Sequence, residues 1–177
     1  EAGRVAGFDV TCLDLFPMPN LDDVPGHLLE ADVVWVGGGS VANLLAVWDV
    51  HDLRPAMRAA WEAGVVLGGV SAGSICWYLG GCTDSFGPDL RAVTNGLGLL
   101  PYGSGVHYDS EESRRPTIHA LVGDGTLPTT HCTDDGVGLV YGFGAPAGIF
   151  SGPAVHRGAA SGQRGRRQGC VHRDPRR

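Results

Sequence analysis

A chain of 177 residues with 43% hydrophobic and 18% charged content is long enough for one domain with its own core, and its composition is that of an ordinary globular protein. No stretch approaches the ~18 consecutive apolar residues of a membrane-spanning helix, so no membrane partner is expected. The net charge is −6, lysine is absent, and seven of the 13 basic residues are arginines within residues 157–177, so the rest of the chain is strongly acidic and nucleic acid is a poor partner.

In chain order, residues 9–15 (DVTCLDL) read as a strand closed by Pro17 and Pro19, and residues 21–30 as a short helix or turn. Residues 32–36 (DVVWV) form a short β-branched and aromatic run, predicted as a buried strand that ends in Gly37-Gly38-Gly39. Ser40 is placed to cap a helix over 41–48, and Asp52 to cap the next one, with Pro55 in its first turn. Along that second helix Leu53, Ala56, Met57, Ala60 and Gly64 share one face, and Arg54, Arg58 and Glu62 share another. Residues 65–70 are a strand, 97–108 contain a strand approaching His107, 111–122 a helix with Pro116 in its first turn, and 136–141 a late strand. Strands alternating with helices predict an α/β fold with a mainly parallel sheet, whose ligand site lies beyond the carboxyl ends of the strands. The domain is expected over residues 1–150. Residues 151–177, rich in Gly and Arg with few large apolar side chains, are expected to be a disordered tail.

Five cysteines (Cys12, Cys76, Cys82, Cys132, Cys170) leave one unpaired in any disulfide scheme and show no Cys-x-x-Cys spacing. Reduced thiols in a cytoplasmic protein, with no metal and no cofactor, are the expectation. Residue 1 is Glu rather than Met, so the chain reads as trimmed at its N-terminus.

The chemistry centres on Gly69-Val70-Ser71-Ala72-Gly73. A strand enters it and a helix-compatible segment leaves it, which is the context of a nucleophile elbow. Serine is a weak nucleophile without a base, and the base needs an orienting partner. Of seven histidines, His107 sits at a predicted strand end and is the candidate base. Asp84 is the candidate third member, with Asp89 and Glu111 as competitors. Asp84 also fits a plain turn in the loop 83–88. Gly37-Gly38-Gly39 lacks both the Gly-x-Gly-x-x-Gly and the Walker A pattern, so phosphate binding is weakly supported. The backbone N–H groups of Gly39 and Ala72 fit an oxyanion hole better.

Together Val-Trp-Val-Gly-Gly-Gly-Ser (34–40), Gly-Val-Ser-Ala-Gly-Ser (69–74), Thr-Asp-Ser (83–85), Gly-Leu-Gly-Leu-Leu-Pro (96–101) and Val-His-Tyr-Asp (106–109) resemble peptidase E, over about residues 5–142. That is a family of serine dipeptidases with a class I glutamine amidotransferase-like (flavodoxin-like) fold, a three-layer sandwich. The resemblance implies Ser71 as nucleophile, His107 as base, Asp84 as third member, and Gly39 with Ala72 as oxyanion donors. It also implies that Arg114, or the adjacent Arg115, reads the side-chain carboxylate of an N-terminal aspartate, a task suited to the planar guanidinium fork. Family members carry a further strand and helix ahead of residue 1, and their last strand has no match in residues 152–177. The function expected is cleavage of short peptides, chiefly dipeptides with N-terminal Asp. Two alternatives stand beside it: a catalytically inactive binding domain on the same scaffold, and an α/β-hydrolase-type esterase, whose Gly-x-Ser-x-Gly and Ser…Asp…His order also match.

Overall fold

The computed structural model describes residues 2–142, 145–152 and 170–172. After α1 (Ala2–Val5) the chain runs without ladder partners as far as α2 (Val24–Glu30). Residues 9–15, predicted as a strand, are therefore a loop. The Asn20 side chain accepts from Asp14 N–H at 2.9 Å and donates to the Cys12 carbonyl at 2.9 Å. These local side-chain bonds take the place of a ladder. Helix α2 starts where the Asp23 carboxylate accepts from Gly26 N–H at 2.9 Å, and it buries Val24 and Leu28 on one face.

Strand β1 (Val33–Val36) leads into α3 (Val41–Val50), and α4 (Leu53–Glu62) returns the chain to β2 (Val66–Gly69). The two strands pair in parallel from Val33↔Val66 to Val36↔Gly69. Ser40 caps α3 as expected, its hydroxyl accepting from Asn43 N–H at 3.2 Å. Asp52 does not cap α4. It turns the tight link between the helices in the left-handed region (φ 52°), which Asp tolerates, and its carboxylate makes no capping bond. Leu53, Ala56, Met57 and Ala60 are buried as one face. Arg54 and Arg58 reach past their own helix to the carbonyls of Asn95, Gly96 and Leu97 and fasten α4 to that loop.

The short α5 (Ala72–Ile75) follows β2 directly, and β3 (Tyr78–Thr83), β4 (Arg91–Val93), β5 (Leu100–Gly105), α6 (Arg114–Gly123) and β6 (Thr130–Cys132) come next. Strand β7 (Val137–Gly142) forms an antiparallel pair with β8 (Ala145–Ser151), and β9 is Cys170–His172. A five-stranded sheet has the order β4-β3-β5-β6-β9. Its inner pairs β3–β5 and β5–β6 are parallel, whereas the edges β4 and β9 are antiparallel. The expected α/β class therefore holds, with parallel pairing at the centre and mixed edges. Within the tail expected to be disordered, residues 170–172 pair with β6, because that strand offers an open edge. Residues 151–152 of that tail are also described, Ser151 as the last residue of β8, and 153–169 and 173–177 lie outside the described residues.

Two clusters make the core. The larger joins α2, α3 and α4 to α5 and the start of the second sheet through Val41, Leu45, Trp48, Leu53 and Cys76. The smaller packs α6 on β3 and β6 through Cys82, Ile118, Val122 and Cys132. No helix among the described residues is long and apolar enough to cross a membrane.

Candidate active site

Strand β2 ends at Gly69, and Val70 and Ser71 link it to α5, Ser71 with φ 55° and ψ −118°. An L-residue with positive φ in such a turn is strained, by about 1–3 kcal/mol, and is held only where the surroundings over-determine it. The two flanking glycines show what does so here. A Cβ on Gly69 would lie 2.0 Å from the Gly73 carbonyl oxygen, and one on Gly73 would lie 2.2 Å from that of Val36. The elbow is thus pressed against itself and against β1, and only glycine fits at either side. Gly38 comes in from the other side, its Cβ direction 3.4 Å from Ser71 Cβ and 3.9 Å from Oγ. The glycine triplet after β1 and the serine after β2 therefore share one rim, as parallel strands require.

His107 follows β5 and also has positive φ, 54°. Its Nε2 lies 3.1 Å from Ser71 Oγ, and its Nδ1 lies 2.7 Å from Asp135 Oδ1. A carboxylate can only accept, so Nδ1 carries the proton and the Nε2 lone pair faces the serine hydroxyl. The ring and the carboxylate are 32% and 52% exposed, so the pair is reachable from solvent.

Sequence reasoning missed Asp135. The competing carboxylates are elsewhere. Asp84 is exposed in a turn whose Gly87 N–H donates to the Asp84 carbonyl at 3.1 Å, and its neighbours fasten the loop. Thr83 Oγ1 and Ser85 Oγ are 2.7 Å apart, and Ser85 Oγ accepts from Ala42 N–H at the start of α3 at 3.4 Å. The Thr-Asp-Ser motif thus braces the helix behind the glycine triplet, while His107 takes its carboxylate from the loop after β6. Asp89 is exposed in the 84–90 loop, and Glu111 binds Arg114. The signal that could have found Asp135 is topological: β6 lies parallel beside β5, so the loop leaving β6 emerges next to the one carrying His107.

Arg114 is buried with its fork occupied. Its Nε and one terminal nitrogen donate to Glu111, at 2.7 and 3.2 Å, and the other terminal nitrogen donates to the Cys82 carbonyl at 2.7 Å. Three N–H groups of the buried guanidinium thus have acceptors, so Arg114 joins α6 to β3 and is not presented to the cleft. Arg115 is exposed, lies 4.5 Å over the Tyr108 ring and donates to the Tyr108 carbonyl at 3.2 Å, one residue from His107.

Ser71, His107 and Asp135 open onto a cleft of about 860 Å³ that is also lined by Trp77, Tyr78, His131 and Tyr141. Neither Arg114 nor Arg115 lines it. His131 is buried, stacks on Tyr102 at 4.2 Å, and its Nδ1 lies 2.6 Å from the Tyr141 hydroxyl, to which Tyr78 donates at 3.0 Å. Burial pushes the His131 pKa down and both tyrosine pKa values up, so this chain is neutral. Among the described residues no group of His, Cys, Asp or Glu is arranged to hold a metal ion.

Two comparisons with known proteins bear on this site. The model of peptidase family S51 matches residues 3–141, which include Ser71, His107 and Asp135. A curated relative, the uncharacterized peptidase YgaJ of Bacillus subtilis (strain 168), is 42% identical over 129 residues. Those residues are 73% of this chain and 55% of the relative, so the chain spans about half the length of the curated protein it matches.

Proposed function

Because the chain belongs to peptidase family S51, we propose that it is a serine-type hydrolase of short peptides in which Ser71, His107 and Asp135 act as nucleophile, base and orienting carboxylate. The observation that carries this reading is the continuous hydrogen-bond chain Ser71–His107–Asp135, at 3.1 and 2.7 Å, ending on a strained elbow. His107 Nε2 takes the hydroxyl proton as Ser71 Oγ attacks the scissile carbonyl carbon. Asp135 stabilises the imidazolium and keeps the proton on Nδ1. The backbone N–H groups of Gly39 and Ala72 are the proposed donors to the oxyanion, and losing one such donor typically costs about 2.7–4 kcal/mol of transition-state stabilisation. His107 then gives its proton to the leaving amine. Water, deprotonated by His107, cleaves the acyl-serine ester and restores the serine. The scaffold proposed is the three-layer sandwich of the amidotransferase-like fold.

The proposed substrates are dipeptides with N-terminal aspartate. This rests on the family resemblance; the Arg114 fork is occupied by Glu111 and Cys82, so the arginine proposed for the substrate carboxylate is the exposed Arg115, which lies outside the cleft lining and would have to leave Tyr108 to reach it. The test is hydrolysis of Asp-Leu, Glu-Leu and Ala-Leu by wild type and Ser71→Ala, after circular dichroism has confirmed that both fold. The expected result is cleavage of Asp-Leu, abolished by the substitution. Full cleavage by a folded Ser71→Ala protein would end the mechanism. Equal rates on all three dipeptides would end the aspartate assignment alone.

A further inference from the structure

Beyond the three residues of the triad, a second carboxylate is built into the same hydrogen-bond circuit. Asp109 stands two residues after His107, and its Oδ1 accepts from the backbone N–H of Asp135 at 2.8 Å. The surrounding bonds show why this matters. The β5–β6 pairing continues past the strand ends: Thr133 N–H donates to the Gly105 carbonyl at 2.8 Å, and Tyr108 N–H donates to the Thr133 carbonyl at 3.1 Å. Beyond Thr133 the two loops diverge, and the bond from Asp135 N–H goes to a side chain, that of Asp109. A ring therefore closes, running from His107 through Tyr108 to Asp109, across to Asp135 N–H, and back through the Asp135 carboxylate to His107 Nδ1.

The Asp135 side chain is half exposed, and an ion pair or charge-assisted bond in such a setting is weak by itself, because water competes and the side chain must surrender rotamer freedom. A fixed backbone removes part of that ordering cost before the side chain turns to the imidazole. His107 itself has left-handed backbone geometry that its surroundings must impose. Both features lie within the ring.

We infer that Asp109 is a positioning residue for the catalytic pair, holding the Asp135 backbone so that its carboxylate meets His107 Nδ1. This rests on the assignment of His107 and Asp135 proposed above. The role needs an acceptor oxygen at the end of a short side chain and does not need its charge. Asp109→Asn keeps such an oxygen, whereas Asp109→Ala removes it.

The experiment reads the low-field proton resonance of His107 Nδ1, assigned by its absence in Asp135→Ala and His107→Gln, alongside dipeptide hydrolysis. Wild type and Asp109→Asn should both show the resonance. Asp109→Ala should lose or broaden it as Asp135→Ala does, and its kcat should fall about 10- to 100-fold, the scale of a small misplacement of a catalytic group. KM should move less than kcat. An unchanged resonance and kcat in Asp109→Ala would overturn the inference. So would an Asp109→Asn protein as impaired as Asp109→Ala, because that would make the charge, or the fold of the loop, the requirement. The resonance is read without substrate. A wild type that shows it, with the stated pattern across variants, upholds the positioning role even if no dipeptide is cleaved, and such a failure would then fall on the peptidase reading alone.

Discussion

Two aspartates are candidates for the proposed third position, and they stand in different places. Asp135 Oδ1 is 2.7 Å from His107 Nδ1, whereas Asp84 sits in an exposed turn whose flanking hydroxyls brace the start of α3. The chemistry of the tautomer makes the consequence large. An asparagine at 135 can present an N–H to Nδ1, which moves the imidazole proton to Nε2 and removes the lone pair that must accept from Ser71. Asp135→Asn is therefore expected to lower kcat by about 10³- to 10⁴-fold, the scale known for that tautomer error. Asp84→Asn leaves Thr83, Ser85 and the turn carbonyl in place, and its kcat is expected within about threefold of wild type, as for a substitution at an exposed site away from such features. Steady-state kinetics on both variants in parallel checks the pair of statements, and a reversed order would return the third position to Asp84.

At the scale of elements, the sequence made the elbow and His107 legible because each has a local signature. Gly69, Ser71 and Gly73 satisfy a steric rule over five residues, and His107 stands directly after Gly103-Ser104-Gly105-Val106 and before Tyr108-Asp109. Asp135 had no such signature, since Asp134-Asp135-Gly136 reads as an ordinary turn and acquires its role only through the parallel pairing of β5 with β6. Strand β3 was hidden for a related reason. Gly80 and Gly81 look like turn residues, yet a Cβ at Gly80 would lie 2.0 Å from the Val93 carbonyl oxygen and one at Gly81 2.5 Å from that of Ser104. Glycine there is dictated by close packing of strands and not by a bend. The strand predicted at 9–15 failed in the opposite sense: its alternation was present, but Asn20 gave its backbone a local alternative.

The link between β6 and β7 carries a pH dependence of its own. His131 on β6 is buried and holds Tyr141 on β7 through Nδ1, and the Tyr141 oxygen already accepts from Tyr78. Burial lowers the folded-state pKa of His131 below its ordinary 6.5, so around and below that value the unfolded chain binds more protons than the folded one. Stability must then rise with pH through this window and fall as the pH drops from about 6.5. Denaturant titrations at steps from pH 7.5 to 5 are expected to show that slope in wild type and a shallower one in His131→Gln, which keeps a polar group facing Tyr141 but does not titrate. Identical slopes would place the acid sensitivity elsewhere.

At the scale of the whole molecule, one face of the first sheet is open among the described residues. In β1 and β2 the register sets Val33 beside Val66 and Trp35 beside Gly68, and the Trp35 ring lies over that glycine, whose Cβ would fall 3.0 Å from the ring. Val33, Trp35 and Val66 are 50%, 68% and 61% exposed, so a contiguous apolar strip runs along a two-stranded sheet. A pair of strands with one bare apolar face is unusual in a soluble monomer, and such a patch either meets a partner surface or drives association. Concentration-dependent self-association through that strip is the expected behaviour. The force is burial of apolar area, at roughly 25 cal/mol per Å², so added salt should strengthen it where an ion-pair contact would weaken. Sedimentation velocity over a tenfold concentration range should show mass growing with concentration in wild type. The doubly substituted Trp35→Thr, Val66→Thr protein should sediment as a smaller species with an unchanged far-UV circular dichroism spectrum, because threonine is β-branched and suits a strand while placing a hydroxyl on the exposed face. Association that persists in this variant, or that dissolves in salt, would mean that the chain meets itself through some other surface.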